Sequence, residues 1–544
     1  NRKVVGAFYL KNKGKIMCGI FAYKGTTYKW DDLKPHVNKI QYRGPDNSHV
    51  DMVGRDTLFA FHRLAIVGTG EAGDQPLFHP QDKAISIVCN GEIYNYKLLA
   101  KKYGFELTTG SDCEIILHLY KRFGIEKTVE SIDGVFMFVL HDQHKHALFA
   151  GRDPFGVRPG FIGRKGGEIM FASEAKPLVG FCDQIDQFNP GHWWNFSDDK
   201  FHRYYFHDEE DLNETDENNI LKNIRKKLTN AVKKRMMAER EIGSLLSGGL
   251  DSSLISALVN QLQKGSTLKT FSIGMPGSVD LEYAQIVANH LGTDHHQIQI
   301  PKEDFLNAIE TVIYNIESFD TTTVRASVGN YLVSKFIREN SDCKVIFNGD
   351  GSDEVCGGYV YMKNAPNGEA FQAECKRLLD EIHRFDVLRS DRSISSNGLE
   401  ARTPFLDKDF VQYYLSIPAK MKTFDGKIRL EKHLLRKAFN ESNLLPDAVL
   451  WRRKCAFSDG VSAKENSWHR VIQSFVDHKI SDVEFETKAK SYTHCTPALK
   501  ESYYYRKVYE SFFGNREKLI PHFWMPKWVE TKDPSARELI GYAE

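Results

Sequence analysis

The sequence predicts a two-domain α/β protein, with a strand-rich first half and a second half built on a parallel sheet. Three observations support this prediction. The chain has 544 residues, more than one domain usually contains. Short β-rich segments dominate residues 18–206, and after residue 219 strand-like and helix-like segments alternate. Such alternation is typical of a parallel sheet that helices cover on both faces.

The first half contains short apolar segments bounded by Gly, Asp or Asn. Four have the composition of strands: AISIVCN (84–90), GVFMFVLHD (134–142), ALFAGRD (147–153) and EIMFASE (168–174). The acidic, polar residues 207–219 have the composition of a linker. We therefore expect one domain at 18–206 and a second at 220–515, with an upstream extension or leader at 1–17 and a C-terminal tail at 516–544.

In the second half the apolar spacing becomes helical, first over residues 220–237. EIGSLLSGGLDSSLISALVNQL (241–262) is typical of a strand, a tight loop and a helix. LKTFSIG (268–274) and KVIFNGDGSDE (344–354) are typical of further strands, and each runs into a loop. Because ligands of parallel sheets bind at the carboxyl ends of the strands, the glycine loops mark the predicted site.

Composition and charge narrow the functional classes. Hydrophobic residues make up 41% and charged residues 27%, as in globular proteins, and a net charge of +1 gives no reason to expect nucleic acid or an acidic membrane surface as partner. No apolar run reaches the roughly 18 residues of a membrane span, and VVGAFYL lacks a signal-peptide cleavage site. Nine scattered cysteines without a CxxC pair predict reduced thiols in the cytoplasm.

The string SGGLDSS (247–253) has the glycines of a phosphate-binding loop but lacks the lysine of a Walker motif. Gly248 and Gly249 allow backbone N–H groups to approach a phosphate, and a helix expected from about Ser252 directs its positive end to the same place. Asp251 is suited to hold Mg²⁺ there. A plain Gly-Gly turn would explain the glycines alone, but the full string favours pyrophosphate binding.

This string resembles the PP-loop of ATP pyrophosphatases, which adenylate a substrate and release pyrophosphate. Further motifs over residues 220–465 resemble, in order, the synthetase domain of glutamine-hydrolysing asparagine synthetases. They are FSIGMPGSVDLEYAQIVANHLGTDHH (271–296), ESFDTTTVRASVGNYLVSK (317–335), NGDGSDEVCGGYVYMKNAPN (348–367), NGLEARTPFLD (397–407) and WRRKCAFSDGV (451–461). The resemblance implies ATP as a substrate, Mg²⁺ as a cofactor and aspartate as the acid that is activated.

The resemblance also implies site residues in the second half. ATP is expected to contact Leu246, Ser247, Gly248, Gly249, Asp251, Ser252, Ile273, Asn348 and Gly349. Asp251 and Asp353 are the expected magnesium carboxylates. Lys454 is expected to meet the charge that develops at the α-phosphate, and Arg325 to lie near the substrate and the phosphates.

The loop at 348–354 departs from the family pattern, which is usually GEGSDE preceded by a serine. Asp350 stands where the family has the glutamate assigned as the base for the attacking nitrogen, and Asn348 replaces the serine. One methylene fewer shortens the reach of the carboxylate by roughly 1.5 Å. Displacements of that size can cost about 100-fold in rate. Either the local backbone compensates or the amide-forming step is slowed.

A second series of motifs begins with MCGIF (17–21). YRGPD (42–46), HRLAIVG (62–68), NGEIYNY (90–96) and GSDCE (110–114) follow it. The series resembles class II glutamine amidotransferases, which implies an αββα sandwich of the N-terminal nucleophile (Ntn) hydrolase type. A lone cysteine in an apolar segment is usually a core thiol, but five motifs in family order favour catalysis.

The resemblance makes Cys18 the nucleophile that attacks the side-chain amide of glutamine, with its own α-amine as the base. A free α-amine has a pKa near ~7.7, so it can accept a thiol proton at neutral pH. Asn90 and the Gly91 amide would form the oxyanion hole, and Arg63 would clamp the α-carboxylate. The remaining expected glutamine contacts are Ile66, Glu92 and Asp112, the last two for the α-ammonium.

Seventeen residues precede Cys18, and an amide nitrogen cannot act as that base. We therefore expect either that translation starts at Met17, which is then removed, or that a leader is cleaved. If neither happens, the glutaminase should be inactive, whereas the synthetase half could still use free ammonia.

Together the resemblances imply a carbon–nitrogen ligase that takes nitrogen from glutamine. Aspartate, glutamine, ATP and water would give asparagine, glutamate, AMP and pyrophosphate, with ammonia passing between the sites through the protein. Two alternatives remain open. One is a related ligase that adenylates another carboxylate, as in β-lactam-forming relatives, although those typically lose the nucleophilic cysteine. The other is a protein that only hydrolyses glutamine, which Asp350 keeps open. The expected partners are small-molecule substrates, and a homodimer is left open.

Overall fold

The computed structural model describes residues 18–44, 46–207, 214–263, 265–463 and 467–535. The predicted extension at 1–17 lies outside them, as do 208–213 of the predicted linker and 536–544 of the predicted tail. None of the nine cysteines, all within the described ranges, forms a disulfide, as the sequence predicts. Among the helices described, none has the length and apolarity that crossing a membrane requires.

The first half consists of two six-stranded antiparallel sheets packed face to face, with helices on the outer faces. Its elements are β1 (Gly19–Lys24), α1 (Trp30–Val37), β2 (Asn47–Met52), β3 (Thr57–Arg63), β4 (Leu77–His79), β5 (Asp82–Ile93), α2 (Tyr96–Tyr103), α3 (Glu114–Ser131), β6 (Gly134–Asp142), β7 (Ala147–Arg152), β8 (Phe161–Lys165), β9 (Glu168–Ala172), β10 (Gln184–Gln187), β11 (His192–Asn195) and β12 (Lys200–Arg203). The sheet orders are β10-β8-β9-β1-β3-β2 and β12-β11-β7-β6-β5-β4. The predicted αββα sandwich is confirmed.

Alternation of side chains explains this layering. Along β1, Ile20 and Ala22 face the opposite sheet, where they pack with Val88 and Val139. The intervening residues of β1 point the other way, toward Leu33 and Val37 of α1. The outer face of the second sheet packs in the same manner against α3. The central strands β1, β3 and β6 therefore bury both faces, which is why they are largely apolar.

The second half contains a five-stranded parallel sheet in the order β15-β14-β13-β16-β17. Its elements are α4 (Glu217–Arg235), β13 (Ile242–Leu245), α5 (Leu250–Leu262), β14 (Lys269–Gly274), α6 (Val279–Leu291), β15 (Asp294–Gln299), α7 (Lys302–Ile316), α8 (Thr321–Asn340), β16 (Val345–Phe347), α9 (Ser352–Cys356), α10 (Gly368–Glu381), α11 (Asp386–Ser395), β17 (Glu400–Arg402), α12 (Lys408–Ser416), α13 (Ala419–Lys422), α14 (His433–Asn440), α15 (Asp447–Leu450), α16 (Phe457–Gly460), α17 (Trp468–Lys479), α18 (Asp482–Lys488) and α19 (Lys500–Phe513). One hydrophobic cluster holds α4, α5 and α6 on one face, and another holds α7, α8 and α19 on the other. The predicted parallel sheet covered on both faces is confirmed.

Helix α5 begins at Leu250, two residues earlier than the sequence predicts, with Gly249 as its N-cap. Ser252 consequently lies in the first turn of the helix instead of capping it. Its hydroxyl accepts a hydrogen bond from the Ser247 amide at 3.1 Å and lies 2.9 Å from the Ser247 hydroxyl. These bonds close the glycine loop on itself and direct its backbone toward the carboxyl end of the sheet.

The two halves meet across a boundary that contains both apolar and charged contacts. A single hydrophobic cluster includes Leu64, Ile66 and Val135 of the first half with Leu246 and Phe347 of the second. Buried ion pairs cross the same boundary: Arg43–Asp391 (2.9 Å), Arg158–Glu400 (3.1 Å) and Arg402–Glu92 (3.4 Å). Since both partners of each pair are buried, losing either one would leave an uncompensated charge.

Candidate active sites

A cavity of about 230 Å³ opens at the carboxyl ends of β13, β14 and β16. The predicted ATP-binding and catalytic residues of the second half line this cavity, except Gly248 and Arg325. The two glycine loops meet there because Gly349 has no side chain. A Cβ on Gly349 would lie 2.7 Å from the Ser252 amide nitrogen. The sheet topology therefore unites two loops that are about one hundred residues apart in sequence.

Gly248 shapes the loop without facing the cavity. Its φ is +72°, and a Cβ would lie 2.4 Å from the Ala284 nitrogen, so only glycine fits here. Its carbonyl accepts a hydrogen bond from the Arg452 guanidinium at 3.0 Å. Gly249, in contrast, has a negative φ of −78°, and a Cβ would make only an ordinary contact with the Ser247 hydroxyl, at 3.4 Å. The two glycines are therefore not equivalent, a difference that the sequence does not reveal.

Two carboxylates and two lysines form a compact cluster in the cavity wall. The ammonium of Lys432 lies 2.7 Å from Asp251 and 2.6 Å from Asp353, and Lys454 lies 2.5 Å from Asp353. Ser352 donates a hydrogen bond to Asp251 at 2.7 Å. Burial alone would raise the pKa of Asp353, but the two lysines lower it below its ordinary value. Both carboxylates therefore converge on one point, as ligands of a shared cation do.

Asp350, the residue that departs from the family pattern, also lines the cavity. Its carboxylate lies 3.2 Å from the Arg389 guanidinium, which lies 2.5 Å from Asp386 as well. Burial raises the pKa of Asp350, against the opposing effect of Arg389. A carboxylate with a raised pKa is a better proton acceptor near neutral pH than an ordinary aspartate.

Arg325 does not reach the cavity, contrary to the expectation from the sequence. Although Thr322, Thr323 and Ala326 of the same helix face the cavity, Arg325 points to the opposite side. There it pairs with Glu501 at 2.6 Å and with Asp533 at 2.7 Å. Its guanidinium is occupied by these two carboxylates, so its position indicates that it anchors α19 and the tail segment. A sequence motif does not show toward which side of a helix its arginine side chain points.

In the first half, β1 pairs with β3, which brings Cys18 next to Leu64. The Leu64 amide donates a hydrogen bond to Sγ at 3.3 Å, and Sγ donates one to the Leu64 carbonyl at 3.4 Å. Burial, together with a smaller effect of the carboxylates of Glu400 and Glu92, raises the pKa of the Cys18 thiol to about 12. A thiol with such a pKa is protonated at neutral pH, so a reaction that used it as a nucleophile would need a base.

Asn90, Gly91 and Glu92 end strand β5 close to this thiol. The Asn90 side-chain nitrogen and one Glu92 oxygen are buried without a hydrogen-bond partner among the described residues. Burial raises the pKa of Asp112 to about 6 and that of Glu92 well above its ordinary value. An unpaired donor suits an oxyanion, and two acids with raised pKa values suit an ammonium group, which would lower them.

Arg63 is the last residue of β3, and Ile66 belongs to the loop that follows this strand. Arg63 pairs with Asp74 at 2.6 Å and donates to the carbonyls of Gly70 (2.8 Å) and Gly68. These bonds fix its guanidinium against the loop formed by residues 68–74. The Ile66 carbonyl accepts a hydrogen bond from the Glu239 amide at 2.9 Å, so this loop also contacts the second half.

Sequence reasoning missed Lys432, Arg389 and Arg43. Lys432 precedes helix α14 in LEKHLL, where a lysine among apolar residues resembles any amphipathic helix. Its left-handed backbone, with φ of +56°, is a sign of tertiary constraint that only the structure reveals. Arg389 follows Asp386 at i+3, a spacing shared by many surface pairs. The pattern holds no signal strong enough to single out Lys432 or Arg389, whereas Arg43 lies in the YRGPD motif, which does not indicate what its arginine contacts.

Two family models match the chain. The glutamine amidotransferase domain model matches residues 17–226, and the asparagine synthase model matches residues 223–374 and 363–531. The two matches together span nearly the whole chain, and they divide it close to the predicted linker.

Curated relatives match the chain over almost its full length. Proteins from Rattus norvegicus and Homo sapiens, both named asparagine synthetase [glutamine-hydrolyzing], are 42% identical over 97% of this chain and 99% of their own length. The protein of the same name from Gallus gallus is 43% identical over the same shares.

Solved structures show weaker likenesses. A glutamine phosphoribosylpyrophosphate amidotransferase from B. subtilis, complexed with ADP and GMP, matches with a TM-score of 0.32 and 16% identity over 52% of this chain and 81% of its own. An NMN synthetase from Francisella tularensis matches with a TM-score of 0.26 and 11% identity over 58% of this chain and 100% of its own.

Proposed function

The chain belongs to the glutamine-hydrolysing asparagine synthetase family, and from this premise we propose that it makes asparagine from aspartate with glutamine as nitrogen donor and ATP as activator. The products besides asparagine are glutamate, AMP and pyrophosphate. One observation carries the proposal. A lysine-less glycine loop and a cluster of two aspartates and two lysines line one cavity, while the partly buried Cys18 lies across a shared domain boundary.

The first half hydrolyses glutamine. Once residues 1–17 are removed, the Cys18 thiol loses its proton to the Cys18 α-amine and attacks the amide carbon, and the oxygen of the tetrahedral intermediate receives hydrogen bonds from Asn90 and the Gly91 amide. The C–N bond then breaks, ammonia leaves with the returned proton, and water hydrolyses the thioester to glutamate. The raised pKa of the thiol supports the need for this internal base.

Recognition of glutamine uses opposite charges on its two α-groups. Glu92 and Asp112 receive the α-ammonium, a role supported by their burial and raised pKa values. Arg63 receives the α-carboxylate, and its bonds to the loop at 68–74 hold the guanidinium in place for a bidentate contact. Ile66 contributes through the same loop.

The second half activates aspartate. The β-carboxylate attacks the α-phosphorus of ATP, the bond to the β-phosphate breaks, and pyrophosphate leaves. Lys454 and Lys432 stabilise the negative charge that develops on the phosphates. The first turn of α5, which begins at Leu250 directly after the loop at 246–249, supplies backbone N–H groups to the leaving pyrophosphate, and this role is supported by its position at the cavity. Ile273, Asn348 and Gly349 complete the ATP site.

The residues of the cavity also fit Mg²⁺. Asp251 and Asp353 converge on a single cationic group, Lys432, so their oxygens can reach one ion together with phosphate oxygens. When bound, Mg²⁺ neutralises the phosphates and orients them for the displacement. The two lysines lower the pKa of Asp353 and so keep its carboxylate ionised and ready to bind.

Ammonia then attacks the acyl carbon of the β-aspartyl adenylate, AMP leaves, and Asp350 accepts the proton. The raised pKa of Asp350 supports this role. Ammonia reaches the acyl carbon through the domain boundary, where the apolar cluster that includes Leu64 and Leu246 would exclude water and protons. We also assign the protein to the cytoplasm, in line with its reduced thiols.

The decisive test uses a chain that begins at Cys18, which retains every residue that the structure describes. It is given ATP, Mg²⁺ and aspartate, and glutamine is compared with ammonium while pyrophosphate, AMP and asparagine are measured. We expect one asparagine, one AMP and one pyrophosphate per turnover with either nitrogen source. Cys18→Ala should abolish synthesis from glutamine and leave synthesis from ammonium.

Other outcomes would identify the alternatives. ADP and orthophosphate as the nucleotide products would refute the adenylate. Pyrophosphate that forms with another acid but not with aspartate would indicate a related ligase. Glutamate without aspartate-dependent pyrophosphate would indicate a protein that only hydrolyses glutamine. Asp350 makes this last comparison necessary, because its carboxylate is one methylene shorter than that of the family glutamate.

A further inference from the structure

Arg43 lies between the nucleophile of the first half and helix α11 of the second. Its Nε donates a hydrogen bond to the Cys18 carbonyl at 3.1 Å. Its other nitrogens bind Glu174 at 2.6 Å, Asp391 at 2.9 and 3.2 Å, and Ser395 at 2.8 Å. Arg43 is 0% exposed, and Glu174, Asp391 and Ser395 are buried as well, whereas Cys18 is partly buried. Two of the acceptors of Arg43 therefore come from the other half of the chain.

Different residues of helix α11 face the two candidate active sites. Asp386 and Arg389 line the synthetase cavity, and Arg389 holds Asp350. Asp391 and Ser395, one helical turn apart, point toward the first half and hold Arg43. A helix of ten residues thus contacts the base of one reaction and, through Arg43, the nucleophile of the other.

The main chain of Cys18 is not held by the hydrogen bonds of a sheet. Strand β1 begins at Gly19, so Cys18 lies just outside the ladder that pairs β1 with β3. Its side chain contacts Leu64, and Arg43 holds its main-chain carbonyl. The α-amine and Sγ are attached to the same Cα as this carbonyl, so a shift of the carbonyl moves both reacting groups.

We propose that Arg43 is a positioning residue for the glutaminase reaction, and that Asp391 and Ser395 of the synthetase domain complete the glutaminase site by holding it. This inference rests on the proposed function, because it requires Cys18 to be the nucleophile. It adds that an intact synthetase domain is required for glutamine hydrolysis even when no aspartate is being activated.

The test is Asp391→Asn in the chain that begins at Cys18, which keeps the shape of the side chain but removes the charge that holds Arg43. We expect kcat for glutamine hydrolysis to fall by about 10- to 100-fold, the size expected from displacing a reacting group by up to about 1 Å. KM for glutamine should change less than about threefold, because Arg63, Glu92 and Asp112 are untouched. Asparagine formation from ammonium should stay within about twofold.

Two further variants keep the inference testable if Asp391→Asn misfolds. Ser395→Ala removes one acceptor of Arg43 and should lower the glutaminase kcat by a smaller factor. Arg43→Lys keeps the charge but loses the Nε donor to Cys18, and should act like Asp391→Asn. Combining Arg43→Lys with Asp391→Asn should cost little more than either alone, because both break the same connection.

A matched control separates positioning from loss of domain contact. Glu317 is another buried acid at the domain boundary, where it accepts hydrogen bonds from the amides of Ala175 (2.9 Å) and Lys176 (2.7 Å) and pairs with Arg392 at 2.5 Å. Glu317→Gln should leave the glutaminase kcat within about twofold. Equal losses in Glu317→Gln and Asp391→Asn would overturn the proposal, since they would indicate general loosening.

The pattern of results also separates this inference from the proposed function. If the parent chain does not hydrolyse glutamine, the proposed function itself fails. If the parent hydrolyses glutamine and Asp391→Asn does so at an unchanged rate, only the role of Arg43 is refuted. A parallel loss of glutamine-dependent and ammonium-dependent synthesis in Asp391→Asn would also refute it. Asp391 lies 3.5 Å from Arg158 as well, and Ser395→Ala tests whether the effect passes through Arg43.

Discussion

Lys432 links the two aspartates of the synthetase cavity, and replacing it with methionine tests that link. Met retains most of the apolar volume of the lysine stem but removes the ammonium group. Lys432 is 2% exposed and lies 2.7 Å from Asp251 and 2.6 Å from Asp353. At an effective dielectric constant of ~20, each pair has a gross attraction of about 6 kcal/mol, most of which offsets desolvation.

The net loss of stability in Lys432→Met depends on the ion pairs that remain after the substitution. Removing one partner of a buried pair typically costs ~3–5 kcal/mol. Asp353 keeps Lys454 at 2.5 Å, so we expect the lower end, about 3 kcal/mol. With an unfolding entropy of about 2.1 cal/mol/K per residue over roughly 300 residues, this corresponds to a fall in Tm of about 5 °C. Pyrophosphate release with ammonium should fall by ~100-fold or more, as it does when one charge-stabilising donor is lost.

The assays are calorimetry of the protein without nucleotide and a coupled pyrophosphate assay. Lys437→Met is the matched control, because Lys437 lies on helix α14, is 46% exposed in its side chain and pairs with Glu217 at 2.7 Å. An exposed pair contributes about 0–1 kcal/mol, so this variant should change Tm by less than about 2 °C. If the two variants gave the same Tm and the same rate, the claim that Lys432 links the carboxylates would be wrong.

Three further predictions concern the base, the glutamine site and the loop. Asp350→Glu restores the family reach and should raise the ratio of asparagine to pyrophosphate; an unchanged ratio would mean that the backbone already compensates. Because the pKa of Asp112 is raised to about 6, KM for glutamine should rise as pH falls below 6, about tenfold by pH 5, and Asp112→Asn should abolish this dependence. The same raised pKa means that the stability Asp112 contributes below its ordinary pKa is lost as pH rises through about 6. Gly248→Ala places a Cβ 2.4 Å from the Ala284 nitrogen and should abolish pyrophosphate release, whereas Gly249→Ala should retain most of it.

Much of the fold was predictable because its signals are local. The strands at 134–142 and 269–274 and the helix that follows the SGGLDSS loop all appear where composition and period place them. The loop itself could be identified because its glycines, serines and aspartate are contiguous. The start of α5 was wrong by two residues, since the capping role fell to Gly249 and the Ser252 hydroxyl bonds back to Ser247.

The sequence by itself determined the two kinds of domain and pointed to Cys18 as a candidate nucleophile and to SGGLDSS as a candidate phosphate loop, because each of these signals lies in short stretches of contiguous residues. Tertiary structure alone decided which charges meet. Arg325 turned away from the cavity to Glu501, Lys432 joined Asp251 and Asp353, and Arg43 met Asp391 across 348 residues. Charged side chains are long, and their attraction does not depend on sequence distance. Their partners are therefore set by which elements pack together.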